Sequence, residues 1–267
     1  MNASGLLRRS LFIDSSNIEE IKKWNATGAI DGVTSNQVVL LNDGVKVKSF
    51  RKIVAAICEE MKGKPVSVEL TDSTIAPEDM IAEAKRFADI AENIVVKVPL
   101  IPETTKSLYV INELCKIDIA VNVTAIMTFE QMILAALSAR NNNKTSFLSL
   151  FWGRSIEDSA KYRSRFDFMA KYPRVGLESE INSKPQAITS AIASFIQEGG
   201  YENLKVIVGS IRTASMIGEA FAAGAHICTT TPEILTSMLY SQRSIETIKQ
   251  FDDAWKEMQT SNRKIKI

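Results

Sequence analysis

The chain has 267 residues, with 32 Lys and Arg against 31 Asp and Glu, one His and three Cys. At 45% hydrophobic and 24% charged residues it has a globular make-up with material for an ample core, which excludes wholesale disorder. A formal net charge of +1 gives no electrostatic reason to expect nucleic acid or an anionic membrane as partner, and one His with scattered Cys argues against a His- or Cys-rich metal centre.

The length suits two ordinary domains or one large α/β barrel. No apolar run approaches the roughly 20 residues of a membrane span. The start, MNASGLLRRSLFIDSS, lacks the pattern of a secretion signal. Cys58, Cys115 and Cys228 are odd in number and far apart, as expected of buried free thiols in a reducing cytoplasm.

Short β-branched runs alternate with amphipathic stretches from end to end. Strands are predicted at Leu11–Ser15, Gly28–Thr34, Pro65–Leu70, Ile94–Pro99, Ile119–Ala125, Thr145–Phe151, Leu204–Ile211 and Ala225–Thr229. Between them, helical periodicity covers Val47–Met61, Pro77–Ile90, Thr105–Ile117, Thr128–Arg140, Ile156–Tyr172, Pro185–Glu198, Thr213–Ala223 and Pro232–Tyr240. Residues 1–10 read as a short N-terminal extension, and Ser244–Ile267 as a terminal helix with a basic tail. Strands separated by helices imply a parallel sheet, and eight of them without a Gly/Pro/Ser linker favour a single closed (β/α)8 barrel over 1–267. An open doubly wound sheet is the rival; no Gly-rich phosphate fingerprint follows any strand.

The informative residues are polar ones near the C-terminal ends of these strands. Lys97 stands among Val95, Val96, Val98 and Pro99, where burial would favour the neutral amine that a Schiff-base enzyme needs; on this strand alone, an edge lysine pointing to water fits equally well. Asp14, Asn36, Glu69, Asn122, Thr124, Ser149 and Ser210 sit at the same end of other strands, with Phe151, Arg154 and Arg212 beside them. That end carries the active site in such barrels. His226, in a small-residue strand, reads as a satisfied or exposed histidine. The inventory therefore suits lysine chemistry. Asp14 is the natural base for C–C cleavage, Glu69 and Thr124 could position a water, and Asn36 and Asn122 could hold sugar hydroxyls. Arg154 and Arg212 with Ser210 suit a phosphate, although each Arg taken singly reads as well as a surface ion pair.

Five segments in order resemble the transaldolase family. Asp31–Asn36 (DGVTSN) is similar to its DGxTTNP segment, Ile94–Pro99 (IVVKVP) to its lysine strand, and Val121–Gln131 (VNVTAIMTFEQ) to CNxTxxxSxxQ. Ser149–Arg154 (SLFWGR) resembles SPFVGR, and Gly209–Arg212 (GSIR) resembles ASFR. The resemblance implies a circularly permuted (β/α)8 barrel with neither metal nor organic cofactor. It implies transfer of a dihydroxyacetone unit from a ketose phosphate to an aldose phosphate, as in the pentose phosphate pathway. It would make Lys97 the Schiff-base lysine, Asp14 the acid/base, and Glu69 with Thr124 the pair handling the catalytic water. Asn36, Asn122 and Ser149 would contact hydroxyls, and Arg154, Ser210 and Arg212 the phosphate. The related fructose 6-phosphate aldolases carry Tyr where this chain has Phe151, which favours transfer over release of free dihydroxyacetone. Gln37 and Leu150 replace prolines of the family pattern, Trp152 a valine and Ile211 a phenylalanine, so a variant acting on a modified sugar is an alternative. A non-catalytic sugar-phosphate-binding barrel is a more distant one. The partners expected are small sugar phosphates, with a mild preference for a homo-oligomer.

Overall fold

The computed structural model describes residues 7–102, 104–163 and 184–263, with side chains of the helix ending at Arg163 described as far as Glu157. In chain order the elements are β1 (Ser10–Asp14), α1 (Ile18–Ala26), β2 (Gly32–Thr34), α2 (Gln37–Asn42), α3 (Phe50–Glu60), β3 (Val66–Glu69), α4 (Pro77–Ala88) and β4 (Ile94–Pro99). Then follow α5 (Lys106–Lys116), β5 (Val121–Ile126), α6 (Phe129–Ala139), β6 (Ser146–Phe151), α7 (Trp152–Arg163), α8 (Pro185–Glu198), β7 (Leu204–Gly209), α9 (Ala214–Ala222), β8 (Ile227–Thr230), α10 (Pro232–Ser237) and α11 (Gln242–Arg263). The strands pair in parallel in sequence order and β1 closes on β8, so the (β/α)8 barrel stands and the open sheet does not. No described helix is long and apolar enough to cross a membrane.

Strand alternation divides the apolar residues into two cores. Residues such as Ile13, Val33, Val68, Val96, Val123, Leu148, Val208 and Cys228 face outward and pack under the helices. A second, smaller cluster of Leu7, Phe12, Val95, Ala120, Phe147, Ile207 and Ile227 fills the barrel itself. Phe12 and Phe147 meet there edge to face, 5.8 Å between centroids. Gly32 lets the Phe12 ring in, because a Cβ on it would overlap that ring. The inward columns then turn polar two residues further along nearly every strand, which places a polar pocket on an apolar floor.

Two helices escape the sequence pattern. Asn17 starts α1, its side chain accepting from the amides of Glu19 and Glu20, with Ile21 and Trp24 as its buried residues. The short α2 buries none of its residues and so leaves no core-facing stripe to read. Conversely, α7 starts at Trp152 rather than Ile156, immediately at the end of β6; the predicted stretch beyond Arg163 lies outside the described residues until 184. The terminal helix α11 exposes Ile245, Ile248, Phe251, Trp255 and Met258.

His226 proves structural. It precedes β8, and its Nδ1 accepts from the Val206 amide at 3.0 Å. Burial first, then the nearby Lys205 and Arg8 charges, push its pKa from 6.5 down to about 4. The unfolded chain therefore binds a proton that the folded one refuses between those values, so stability falls as pH drops from 6.5 towards 4. Allowing for partial exposure, the expected loss is about 2 kcal/mol. Urea melts at pH 7 and pH 4.5 check it: His226→Gln should remove part of the pH dependence.

Candidate active site

Strand register brings the polar residues of the inward columns side by side. Glu69 pairs with Lys97 between β3 and β4, Lys97 with Asn122 between β4 and β5, and Pro99 with Thr124 two residues on. In a parallel sheet, register neighbours point the same way, so these side chains must converge. Lys97, Asn122 and Thr124 are buried.

The centre is the Lys97 ammonium. Its Nζ lies 3.1 Å from Glu69 Oε2 and donates to the Ser35 carbonyl at 2.9 Å. That carbonyl belongs to the turn between β2 and α2, itself tied to β3 by Ser35 N to Ser67 O at 3.1 Å. Gln37 adds a tether, its Nε2 donating to the Leu70 carbonyl at 2.5 Å, directly after Glu69. One proton transfer along the Lys97–Glu69 contact frees the amine for attack on a carbonyl carbon.

Asp14 closes β1 on the other side. It accepts from Thr34 Oγ1 at 2.7 Å, and Thr34 Oγ1 lies 2.6 Å from Thr229 Oγ1. Thr34 has one hydroxyl proton, so donating it to Asp14 leaves Thr229 to donate to Thr34. Burial raises the Asp14 pKa from its ordinary value; the Lys97 charge and the Thr34 hydrogen bond pull it back, and the Asp43 charge pushes it up again. A carboxyl balanced in this way is suited to taking and returning a proton.

On β5, Asn122 Nδ2 donates to Ser67 Oγ at 3.1 Å, while Asn122 Oδ1 and Thr124 Oγ1 are fully buried without a protein partner. Leaving such atoms unpaired costs on the order of 1–3 kcal/mol each. Both lie on the inward column beside Lys97, free to hydrogen-bond a substrate hydroxyl or a water. A left-handed Ala125 (φ 61°) and a register shift between Val123 and Ile126 follow directly, a local bulge after which Ile126 pairs again with Leu150.

Asn36 is only partly available: its Oδ1 caps α2, accepting from the amides of Val38 and Val39, which leaves the NH2 group for a ligand. Ser149 is buried on the inward column of β6, and Phe151 follows two residues on. The guanidinium of Arg154 stands 5.7 Å from the Phe151 ring centroid. The start of α7 is bound to the exit of β7 through Gly153 N to Ser210 O at 3.0 Å and Arg154 N to Ser210 Oγ at 3.2 Å. Arg212 is near α7 as well, its Nε 2.9 Å from Glu157 Oε1. Two arginines and a hydroxyl thus gather at one rim. Glu157 is an anionic competitor there that sequence reading did not find.

Gly153 is what allows this approach. A Cβ at that position would run into the Ser210 carbonyl oxygen, and Ser210 is already left-handed at φ 58°. Gly153→Ala should therefore push the two segments apart. A roughly tenfold rise in KM for a phosphorylated substrate is expected, with a smaller change in kcat; an unchanged KM in steady-state assays would contradict the assignment of this rim.

The structure thus brings Asp14, Glu69, Lys97, Asn122 and Thr124 into one pocket, with Ser149 and Phe151 on its wall and Arg154, Ser210 and Arg212 at its rim. Thr34, Thr229 and Ser67 belong to it and were missed, since a lone hydroxyl in a β-branched run gives no signal. A cavity of about 890 Å³ lies at the opposite end of the barrel, lined by Leu7, Lys64, Asn93 and Asn203 among others. The Asn93 amide there is spent on the backbone carbonyls of Cys58, Met61 and Lys64.

Known proteins resemble this chain in sequence and in fold. The profile of a family described as Transaldolase/Fructose-6-phosphate aldolase matches residues 11–267. A relative from Streptococcus equi subsp. equi, named "Probable transaldolase", is 30% identical over 244 residues, covering 91% of this chain and 96% of its own. Others with the same name come from Clostridium tetani, 30% identical (92% and 98% covered), and Methanococcus vannielii, 31% identical (91% and 96%). Among solved structures, a dihydrodipicolinate synthase from Rhodopseudomonas palustris aligns with a TM-score of 0.52 at 12% identity, covering 86% of this chain and 71% of its own. A thiamine phosphate pyrophosphorylase from Pyrococcus furiosus aligns at 0.50 and 10%, covering 85% and 87%. These last two are similar in fold alone.

Proposed function

We propose, from the premise that this chain belongs to the transaldolase/fructose-6-phosphate aldolase family, that it is a transaldolase working through a Schiff base on Lys97. The observation that carries this reading is the buried Lys97 with Glu69 3.1 Å from its nitrogen and Asp14 nearby across the barrel.

Lys97 Nζ, freed of a proton by Glu69, attacks the carbonyl carbon of a ketose phosphate to give a carbinolamine. A proton delivered through a water held by Glu69 and Thr124 converts the carbinolamine hydroxyl into a second water molecule, which leaves to give the iminium. Asp14 then takes the proton of the hydroxyl on the far carbon of the bond to be broken. The C–C electrons flow to the iminium nitrogen, the aldose phosphate leaves, and a three-carbon enamine stays on Lys97. Attack of the enamine on an acceptor aldehyde reverses these steps, with Asp14 returning its proton to the new alkoxide. Asn36, Asn122 and Ser149 hold hydroxyls of the donor, and Arg154, Arg212 and Ser210 hold the phosphate, which displaces Glu157 from Arg212.

Phe151 favours transfer over release, because its ring offers no hydroxyl to keep a water beside the enamine. The donor and acceptor are of the sedoheptulose 7-phosphate, fructose 6-phosphate and erythrose 4-phosphate type, the chemistry of pentose phosphate metabolism in the cytoplasm. Residues 1–267 act as one domain. The exposed apolar residues of α11 support a homo-oligomer in which this helix is covered by another copy. The test is product analysis with fructose 6-phosphate and erythrose 4-phosphate. Sedoheptulose 7-phosphate formed in step with glyceraldehyde 3-phosphate supports transfer; free dihydroxyacetone formed equally fast without an acceptor contradicts it.

A further inference from the structure

The loop that follows Asp14 is held by one carboxylate from elsewhere in the chain. Asp43, the residue that ends α2, accepts through Oδ2 from the Ser16 amide at 2.7 Å, from Ser16 Oγ at 2.8 Å and from Ser15 Oγ at 3.3 Å. Ser15 and Ser16 are buried and continue directly from the residue that ends β1. Three donors on one oxygen fix the exit of β1, and with it the direction in which Asp14 leaves the sheet.

A clamp of this kind needs an acceptor but not a charge. An Asn could receive the same hydrogen bonds without placing an anion near a buried carboxyl. The charged groups acting on Asp14 are Lys97 from β4 and Asp43 from the end of α2, with Glu69 of β3 paired to Lys97 and the Thr34 and Thr229 hydroxyls facing it from β2 and β8. Lys97 holds the proton affinity of Asp14 down, and Asp43 offsets part of that pull.

We propose that Asp43 is a positioning residue for the proton-transfer step, orienting Asp14 through Ser15 and Ser16 and opposing the field of Lys97 with its own charge. This rests on Asp14 being the proton carrier, so the test separates the two. Asp43→Asn keeps an acceptor and removes the charge. The Asp14 carboxyl is titrated by carbon-13 NMR in the free protein, its signal assigned by its absence in Asp14→Asn, and kcat is followed against pH with fructose 6-phosphate and erythrose 4-phosphate.

In Asp43→Asn the Asp14 midpoint should fall by about half a pH unit or more. kcat should drop about two- to threefold with KM within about twofold, and Asp43→Glu should restore the midpoint. In Asp43→Asn shown to be folded by circular dichroism, an unshifted midpoint overturns the proposal whatever happens to kcat; the fold is checked because exposure of Asp14 to water would itself lower a midpoint that burial raises. If Asp43→Asn does not fold, the Ser15→Ala/Ser16→Ala double variant keeps the charge and removes two hydroxyl donors. A kcat lowered at least about threefold at constant KM then supports the clamp, and a wild-type kcat overturns it. Full activity of Asp14→Asn would instead remove the reading of Asp14, leaving the NMR result to judge Asp43 by itself.

Discussion

Lys97→Arg is expected to lower turnover by at least about 10³-fold and to abolish covalent trapping of the donor. Arginine keeps a cation opposite Glu69 and the Ser35 carbonyl, so the electrostatics of the pocket survive. What it loses is the nucleophile: a guanidinium stays protonated throughout the working range and forms no carbinolamine. The larger head group sits in a buried site, and overpacking costs about 1–3 kcal/mol. The protein should remain folded at 25 °C, which circular dichroism checks alongside the assay. Residual turnover within tenfold of wild type would mean that the covalent step lies elsewhere.

Asp14→Asn is expected to divide the reaction at a different point. Asn is nearly isosteric and still accepts from Thr34, so the lower wall of the pocket keeps its shape. Lys97 and Glu69 are untouched, and the first half of the reaction, up to the iminium, should proceed. Cleavage requires removal of a hydroxyl proton by a group that Asn cannot replace, and a missing general base costs about 10²–10⁴-fold. The variant should therefore accumulate the donor adduct, seen by mass after borohydride, while transfer falls by that factor. Replacing a carboxyl whose ionised form burial disfavours should leave the Tm level or slightly raised. A variant that neither transfers nor accumulates adduct would place Asp14 before the iminium instead.

Much of this was legible in the sequence because a barrel strand has two faces with different demands. Ile94–Pro99 reads as continuous apolar residues broken by Lys97, and its boundaries are those observed. The outward column must pack under helices, so any polar residue in the strand has to point inward, where only the C-terminal end tolerates it. The same logic found Asp14, Glu69, Asn122, Thr124 and Ser149. It found less where contact depends on the return of a distant segment. Thr34 and Thr229 look like ordinary β-formers, and nothing local says that one donates a hydrogen bond to Asp14. Asp43 follows a six-residue helix with no buried face, so neither the helix nor its final carboxylate gave a period to follow. Asn36 was read as a ligand residue, yet its oxygen is engaged in starting that same helix, since Asn is as good a cap as a sugar ligand. Glu157 sits one helical turn beyond Arg154, where a charge on α7 reads as a solvated face until Arg212 is folded against it.

Gln37 shows how a departure from a family pattern acquires meaning only in three dimensions. Proline would fit that position, because Asn36 is extended and Gln37 is the first residue of α2. Glutamine instead spends its amide on the Leu70 carbonyl, joining the turn that binds Lys97 to the strand end that carries Glu69. The substitution trades backbone stiffness for a direct link between the two partners of the lysine.

The proposed mechanism turns on a covalent bond between Lys97 and a ketose. Incubation with fructose 6-phosphate, reduction by borohydride and peptide mapping by mass spectrometry test it most directly. One reduced three-carbon adduct per chain is expected, located on the peptide that contains Lys97. An unmodified Lys97 peptide in a folded protein that turns over this donor would contradict it.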